Sequence, residues 1–346
     1  MIWRVLLLLF VPLTLVLHRV DAPPLLQFTT AALALLPLGA WVHLATERLA
    51  TRLGPVVGGL INIAAANGTE LVITIFALSA GFVGVVKATL VGSILSNMLF
   101  IMGLGMLVGG ICHPVQKIDH RLVSATGTQL VLAVAALSLP TLAESNHWSP
   151  GRWATQVLTV GAATVMLAIY LLGTAYTLRT ADRSQKAPVT SAVGRGLWSS
   201  LLILVACAGA TVAISDILIK TLEPALASLH LPQRIAGLIL VPLLGNAGEN
   251  VTAVLAAREN RMTLAYQIAV GSSTQIALLV APLLVFAGLL MGKPFLFVFH
   301  PLEVMALGLS VLLAVLIHLD ARSNWLEGTQ LLAGYILFIL ALCFLE

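Results

Sequence analysis

Asn67-Gly68-Thr69-Glu70 and Asn246-Ala247-Gly248-Glu249 are one motif written twice, each copy set inside a long apolar stretch. Twenty-two residues after each Glu comes a Gly-Ser pair, Gly92-Ser93 in the first copy and Gly271-Ser272 in the second. A single offset of 179 superimposes Asn, Glu, Gly and Ser, and it also lays Gly58 on Gly237. A carboxylate surrounded by hydrocarbon is costly, so acids kept inside apolar segments are expected to mark an ion or substrate path. Two of them at matched positions point to ion transport.

The rest of the chain supports a membrane setting. It is 59% hydrophobic and 9% charged, with a mean hydropathy of +1.03. Soluble domains carry about 25% charged residues, so the fold class expected is an all-α integral membrane protein with lipid as its surroundings. A net charge of +4 and a pI near 9.2 would suit a nucleic-acid partner in a soluble chain. Here the basic residues fall between apolar segments, where they set orientation, and no nucleic-acid partner is implied. Cys112, Cys207 and Cys343 form no pair motif, so neither a disulfide framework nor a structural metal or cofactor is expected.

Segments of about 20 apolar residues match a hydrocarbon core of roughly 30 Å. Eleven such segments are expected, at 3–19, 25–46, 55–80, 85–109, 122–142, 154–178, 197–220, 235–257, 262–290, 296–317 and 328–345. The first lacks a small-residue cleavage site before Asp21-Ala22-Pro23-Pro24 and reads as a retained helix. Lys and Arg divide twelve against six between the two sides that this count defines. The richer side is the cytoplasmic one, which puts the N-terminus in the cytoplasm and the C-terminus outside.

The longest polar interruption, 179–196, carries Asp182 against Arg179, Arg183, Lys186 and Arg195. It separates a first five-helix repeat, 25–178, from a second, 197–346, with 1–20 as an extra N-terminal helix. Five is odd, so the second repeat enters the membrane upside down relative to the first. Both acid-bearing segments are rich in breakers: Gly58, Gly59, Asn67 and Gly68 in one, Pro242, Gly245, Asn246 and Gly248 in the other. Unwound backbone at membrane depth is tolerated where it is buried or lines a cavity.

Two carboxylates meeting across such a repeat, with amide and carbonyl oxygens nearby, would form an oxygen-rich site for a hard cation. Without the cation, burial and mutual repulsion favour protonation of the same oxygens. Competition between cation and protons for Glu70 and Glu249 is then the simplest chemistry of antiport. A single buried Glu has a plainer reading as a protonated packing residue, but the matched offset and partners weigh against it. Ser93, Ser272 and Ser273 are also compatible with close helix packing. Asn97 and Gln275 are costlier to bury, which favours a role at the site. Glu47 and Glu223 precede the two acid segments, and an interfacial role suffices for them, as it does for His300 and Glu303. Trp3, Trp148, Trp153 and Trp325 fall near span ends, as interfacial anchors do.

Gly58-Gly59-Leu60-Ile61-Asn62 leading to Asn67-Gly68-Thr69-Glu70-Leu71, then Gly92-Ser93-Ile94-Leu95-Ser96-Asn97, resembles the first repeat of the Ca²⁺/H⁺ exchangers. Gly245-Asn246-Ala247-Gly248-Glu249-Asn250, then Gly271-Ser272-Ser273-Thr274-Gln275, is similar to their second. The resemblance runs from the end of the second span to the eleventh. It implies the fold of the cation/Ca²⁺ exchanger superfamily, with Glu70 and Glu249 carrying ions and protons. Asn67, Asn246, Ser93, Asn97, Ser272, Ser273 and Gln275 would complete or support the cation shell. Three features depart from the family pattern: Ala66-Asn67-Gly68-Thr69-Glu70 replaces Gly-Asn-Ala-Thr-Glu, Asn250 stands where a His is usual, and 179–196 lacks an acidic segment. The expected function is a multi-pass cation/proton antiporter of a bacterial inner membrane, exporting Ca²⁺ in exchange for H⁺ by alternating access. Alternatives are a Na⁺(K⁺)/H⁺ antiporter on the same scaffold, a passive cation channel, and an intramembrane enzyme, for which no nucleophile–base set or metal motif is present.

Overall fold

A computed structural model describes residues 7–145, 151–181 and 195–343. Most of the basic linker, 182–194, lies outside the described residues, as do Trp3, Trp148 and the side chain of Glu47. The elements are α1 (Phe10–Arg19), α2 (Pro24–Ala66), α3 (Gly68–Ser79), α4 (Val83–Cys112), β1 (Gln116–Lys117), α5 (His120–Ser145), α6 (Arg152–Ala181) and α7 (Arg195–Ser228). They continue with α8 (Gln233–Gly245), α9 (Ala247–Arg258), α10 (Met262–Leu290), α11 (Pro301–Ile317), β2 (Arg322–Ser323) and α12 (Trp325–Cys343).

Among the described residues, seven helices are long and apolar enough to cross a membrane, or eight when α8 and α9, bent by 66° at Asn246, are taken as one span, where eleven spans were expected. Shorter apolar helices lie at Phe10–Arg19, Gly68–Ser79 and Pro301–Ile317. Apolar side chains stand exposed along α6 and α7, including Trp153, Leu158, Val165, Leu172, Leu202 and Val205. In water such a surface would aggregate; in a bilayer it faces a solvent of its own kind.

Two boundaries differ from the sequence expectation. The connector expected between spans 25–46 and 55–80 is helical, so α2 runs unbroken for 43 residues. Arg48, Leu49, Ala50 and Arg52 are good helix formers, and the helix carries on even through Gly54-Pro55, a pair that signals a break. The matching position in the second repeat does break, because His230 adopts a left-handed φ of 54° and Pro232 follows. The tenth span was expected from 296, but residues 293–300 are extended and α11 begins at Pro301. His300 and Glu303 form a reciprocal cap there: the His300 N–H donates to Glu303 Oε2 at 2.9 Å, and the Leu302 N–H donates to His300 Nδ1 at 3.2 Å.

The extended segment buries Phe295, Phe297 and Phe299 at alternate positions. Its backbone is satisfied by side chains, since the Phe297 and Phe299 N–H groups donate to Thr159 Oγ1 and Thr141 Oγ1 and the Thr141 hydroxyl donates to the Phe297 carbonyl. The Lys87 ammonium donates to the Val298 carbonyl in the same segment.

The chain forms two compact units, and each draws on both halves of the sequence. One comprises the chain up to Ala80, Tyr170–Gln233 and Leu244–Gly248; the other comprises Gly81–Ile169, Arg234–Leu243 and Glu249 onward. In the first unit α2 packs along α7, with α1 and α3 against the same pair. In the second, α4 packs on α12 and on the π-helical turn Ala236–Leu240, and α5 packs on α11. Glycine permits these approaches. A methyl group on Gly92 would lie 2.2 Å from the Leu238 carbonyl oxygen, and one on Gly103 would lie 2.8 Å from that of Gly328.

Candidate cation site

Both acids occupy the same place in a broken helix. Asn67, with φ −107° and ψ 21°, interrupts the helical path between α2 and α3, and Glu70 is the third residue of α3. Asn246 interrupts the path between α8 and α9, and Glu249 is the third residue of α9. The first turn of a helix presents free N–H groups and the positive end of the helix dipole, which favour an anionic side chain. The break therefore makes a buried carboxylate tenable at a depth where an unbroken helix would not.

In the first unit Glu70 is fully buried, as are its neighbours Asn67 and Thr69 and, nearby, Asn246. The Asn246 amide nitrogen donates to Glu70 Oε2 at 2.9 Å. An ionised carboxylate only accepts, so this contact fixes the orientation of the Asn246 amide. Asn246 Oδ1 is left buried with no hydrogen-bond partner among the described residues. It is a bare carbonyl oxygen on the residue that grips the acid, and a hard cation takes such oxygens as ligands. The Thr74 hydroxyl donates to the Glu70 carbonyl at 2.8 Å, one turn further along α3.

The Gly245–Gly248 segment lies against Glu70 and α2. A methyl group on Gly245 would make an ordinary contact, 3.5 Å from Glu70 Cβ, whereas one on Gly248 would press on α2, 3.1 Å from Ala40 Cα. Gly39 and Ala40 on α2 thus form the seat for the second repeat's break. Sequence reasoning passed over them, although a small pair in mid-span is a signal for close approach.

In the second unit Glu249 and Asn250 lie buried in the first turn of α9. Ser93, Asn97, Ser272 and Ser273 are buried on α4 and α10, while Gln275 is half-buried. Asn97 Nδ2 donates to Ser272 Oγ at 3.3 Å, and Ser273 Oγ donates to the Ile94 carbonyl at 3.4 Å. Each of the two helices then widens into a π-helical turn, Ser96–Ile101 in α4 and Ile276–Val280 in α10. Such turns carry one residue more than an α-turn and gather at functional sites. The structure thus joins Glu70 to Asn246 in one unit, and Asn97 and Ser273 to their partner helices in the other.

The sodium/calcium exchanger protein family matches residues 23–179 and 199–344. A Ca²⁺/H⁺ antiporter from Aphanothece halophytica is 40% identical over 98% of this chain and 95% of its own. The Ca²⁺/H⁺ antiporter ChaA from Bacillus subtilis is 31% identical over 94% of each chain. Among solved structures, that of native YfkE superimposes with a TM-score of 0.85 at 29% identity, covering 99% of both chains.

Proposed function

The chain belongs to the sodium/calcium exchanger protein family, and on that premise we propose that it is a multi-pass membrane antiporter moving Ca²⁺ in exchange for H⁺. The observation that carries this reading is the fully buried Glu70, third in a broken helix, held by the Asn246 amide whose oxygen is left bare. Glu249 stands at the same position of the second broken helix. Each acid is an oxygen ligand when ionised and a proton carrier when not.

In this reading Glu70 and Glu249 bind Ca²⁺ with Asn67, Asn246 and backbone carbonyls of the two breaks. Ser93, Asn97, Ser272, Ser273 and Gln275 support the shell. Two carboxylates neutralise one divalent cation, and their protonation releases it. Desolvation makes the empty, doubly ionised state unfavourable, so the site is filled either by Ca²⁺ or by protons. Asn250 does not titrate, so a neighbouring imidazole, able to exchange protons near neutral pH, has no counterpart at this position.

The halves 25–178 and 197–346 act as inverted repeats, with the N-terminus in the cytoplasm of a bacterial cell and the C-terminus outside. Proteoliposomes holding a pH-sensitive dye test the function. Imposing a Ca²⁺ gradient should move protons in the opposite direction, and Glu70→Gln and Glu249→Gln should each stop it. Proton movement driven equally by Na⁺ or K⁺ would replace Ca²⁺ as the substrate. Cation conductance without proton exchange would overturn antiport.

A further inference from the structure

Gln116 sits on β1, is 1% exposed, and reaches the far end of the helix that bears Glu249. Its amide nitrogen donates to the Ala257 carbonyl at 2.7 Å and to Asn260 Oδ1 at 3.1 Å. Ala257 lies in the last turn of α9, whose first turn holds Glu249. Beyond it the chain closes in a Schellman turn. Asn260 takes the left-handed φ of 60° and donates to the Ala257 carbonyl, while the Arg261 N–H donates to that of Ala256. Gln116 therefore binds both a helix-end carbonyl and the side chain of the residue that ends the helix.

The fit is close. A methyl group on Gly109 would lie 2.2 Å from Gln116 Oε1 and 2.8 Å from the Ala257 carbonyl oxygen, so α4 presses bare backbone against the clamp. Three residues on, the Asp119 N–H donates to Thr263 Oγ1 at 3.2 Å, in the first turn of α10. The short turn between the Glu249 helix and the helix of Ser272 and Ser273 is thus held at both ends. Pairing of Gln116 with Ser323, and of the Ile118 N–H with the Ala321 carbonyl, backs the clamp from β2. Under the repeat offset Gly109 falls on Gly288 and Gln116 falls on Phe295. A methyl group on Gly288 would lie 3.3 Å from Phe295 Cβ, so the seat recurs, but a phenyl ring donates no hydrogen bond.

We propose that Gln116 is a positioning residue for cation exchange, which fixes the axial placement of α9 and through it the height of the Glu249 carboxylate. Eight residues of helix separate Glu249 from Ala257, about 12 Å at 1.5 Å per residue. A rod of that length passes a slip at its clamped end to the acid almost undiminished. The inference rests on the exchange function proposed above.

The test is Ca²⁺-driven proton flux in proteoliposomes of the full chain, comparing wild type, Glu249→Gln, Gln116→Met, Asn260→Gly and the double variant Gln116→Met/Asn260→Gly. Methionine keeps the length of Gln116 without its donor, and glycine keeps the left-handed turn without the Asn260 amide. Gln116→Met should raise the KM for Ca²⁺ about five- to tenfold, the order of one buried hydrogen bond, with the maximal rate within about twofold of wild type. Asn260→Gly should raise KM less and in the same direction, and the double variant should match Gln116→Met alone, since both remove a shared contact. Wild-type vesicles without Ca²⁺-driven flux would overturn the exchange reading itself. With wild type active, an unchanged KM in Gln116→Met would overturn the clamp, as would a fall in maximal rate alone or additive effects in the double variant. Should Gln116→Met fail to fold, judged by size-exclusion in detergent, an unchanged KM in Asn260→Gly would overturn it.

Discussion

Around their acids the two halves of this chain agree in backbone and disagree in chemistry. With an offset of 179, α3 (Gly68–Ser79) falls on α9 (Ala247–Arg258) residue for residue, and Val83 at the start of α4 falls on Met262 at the start of α10. The left-handed residue after each acid helix also matches, Gly81 at φ 88° and Asn260 at φ 60°. Even the π-helical turns coincide to within a residue, Ser96–Ile101 against Ile276–Val280. Side chains follow no such rule. Asn97 falls on Ile276, Lys87 on Tyr266 and Gln116 on Phe295. The repeat preserves what places a carboxylate in the first turn of a broken helix, and leaves each copy its own surrounding polar groups.

The tight contacts are unequal too. Gly92 and Gly237 admit backbone-to-backbone approach between α4 and α8, with a methyl group on Gly237 only 2.6 Å from the Val85 carbonyl oxygen. Gly271, the counterpart of Gly92, has nothing within 4 Å of the place a methyl group would occupy. One glycine of the matched pair is required by packing, and the other is free to be a different residue.

The comparison can be broken most forcefully at the acids. Glu70→Gln and Glu249→Gln should each lower Ca²⁺-driven proton flux about a hundredfold or more, because each removes a buried charge that the cation balances. A large loss in one and none in the other would end the claim that the copies are equivalent. Asn246→Ala takes from Glu70 its amide partner and from the cation an oxygen. It should weaken Ca²⁺ binding in detergent about tenfold or more, in line with a hydrogen bond to a charged group. Thermal unfolding of the purified protein should separate the glycines. Gly92→Ala should destabilise by about 1–3 kcal/mol through overpacking, whereas Gly271→Ala should be neutral or stabilise by up to about 1 kcal/mol through helix propensity.

A pH-dependent effect concerns a group that only the second half possesses. His318, just past α11, is buried, donates from Nδ1 to the Ala314 carbonyl and meets Tyr266 edge-on at 5.0 Å. Burial pushes its pKa from the ordinary 6.5 down to about 4. The unfolded chain therefore binds the extra proton first. The stability that neutral His318 contributes is complete above pH 6.5 and is lost progressively as pH falls toward 4, by about 1.4 kcal/mol per pH unit. His318→Gln should flatten that part of the melting-temperature profile, and an unchanged slope would remove His318 as its cause.

Much of this was legible from residue type and spacing. The acids, their Asn and Gly-Ser companions, and the apolar segments are set by local composition and by the cost of burying charge, but seven or eight of the described helices, rather than eleven, are long and apolar enough to cross a membrane. What escaped reading depended on contacts distant in sequence or on competing local signals. The connector after Glu47 ends in Gly54-Pro55, a pair that signals a break, yet α2 continues through it. His300 and Glu303 were expected to open this helix at the interface, and what their types did not reveal is the reciprocal cap they form around Pro301. Gln116 carries no motif at all. Its meaning comes from Ala257 and Asn260, more than a hundred residues away, and from the bare backbone of Gly109 behind it.

The central claim is that Ca²⁺ and protons compete for the same two carboxylates. Calorimetric titration of the purified protein with Ca²⁺, repeated across pH and in buffers of different ionisation enthalpy, measures that competition directly. The account predicts that binding releases protons, that affinity falls as pH is lowered, and that Glu70→Gln and Glu249→Gln each reduce the proton release. Ca²⁺ binding of unchanged affinity across pH, with no protons released, would contradict it.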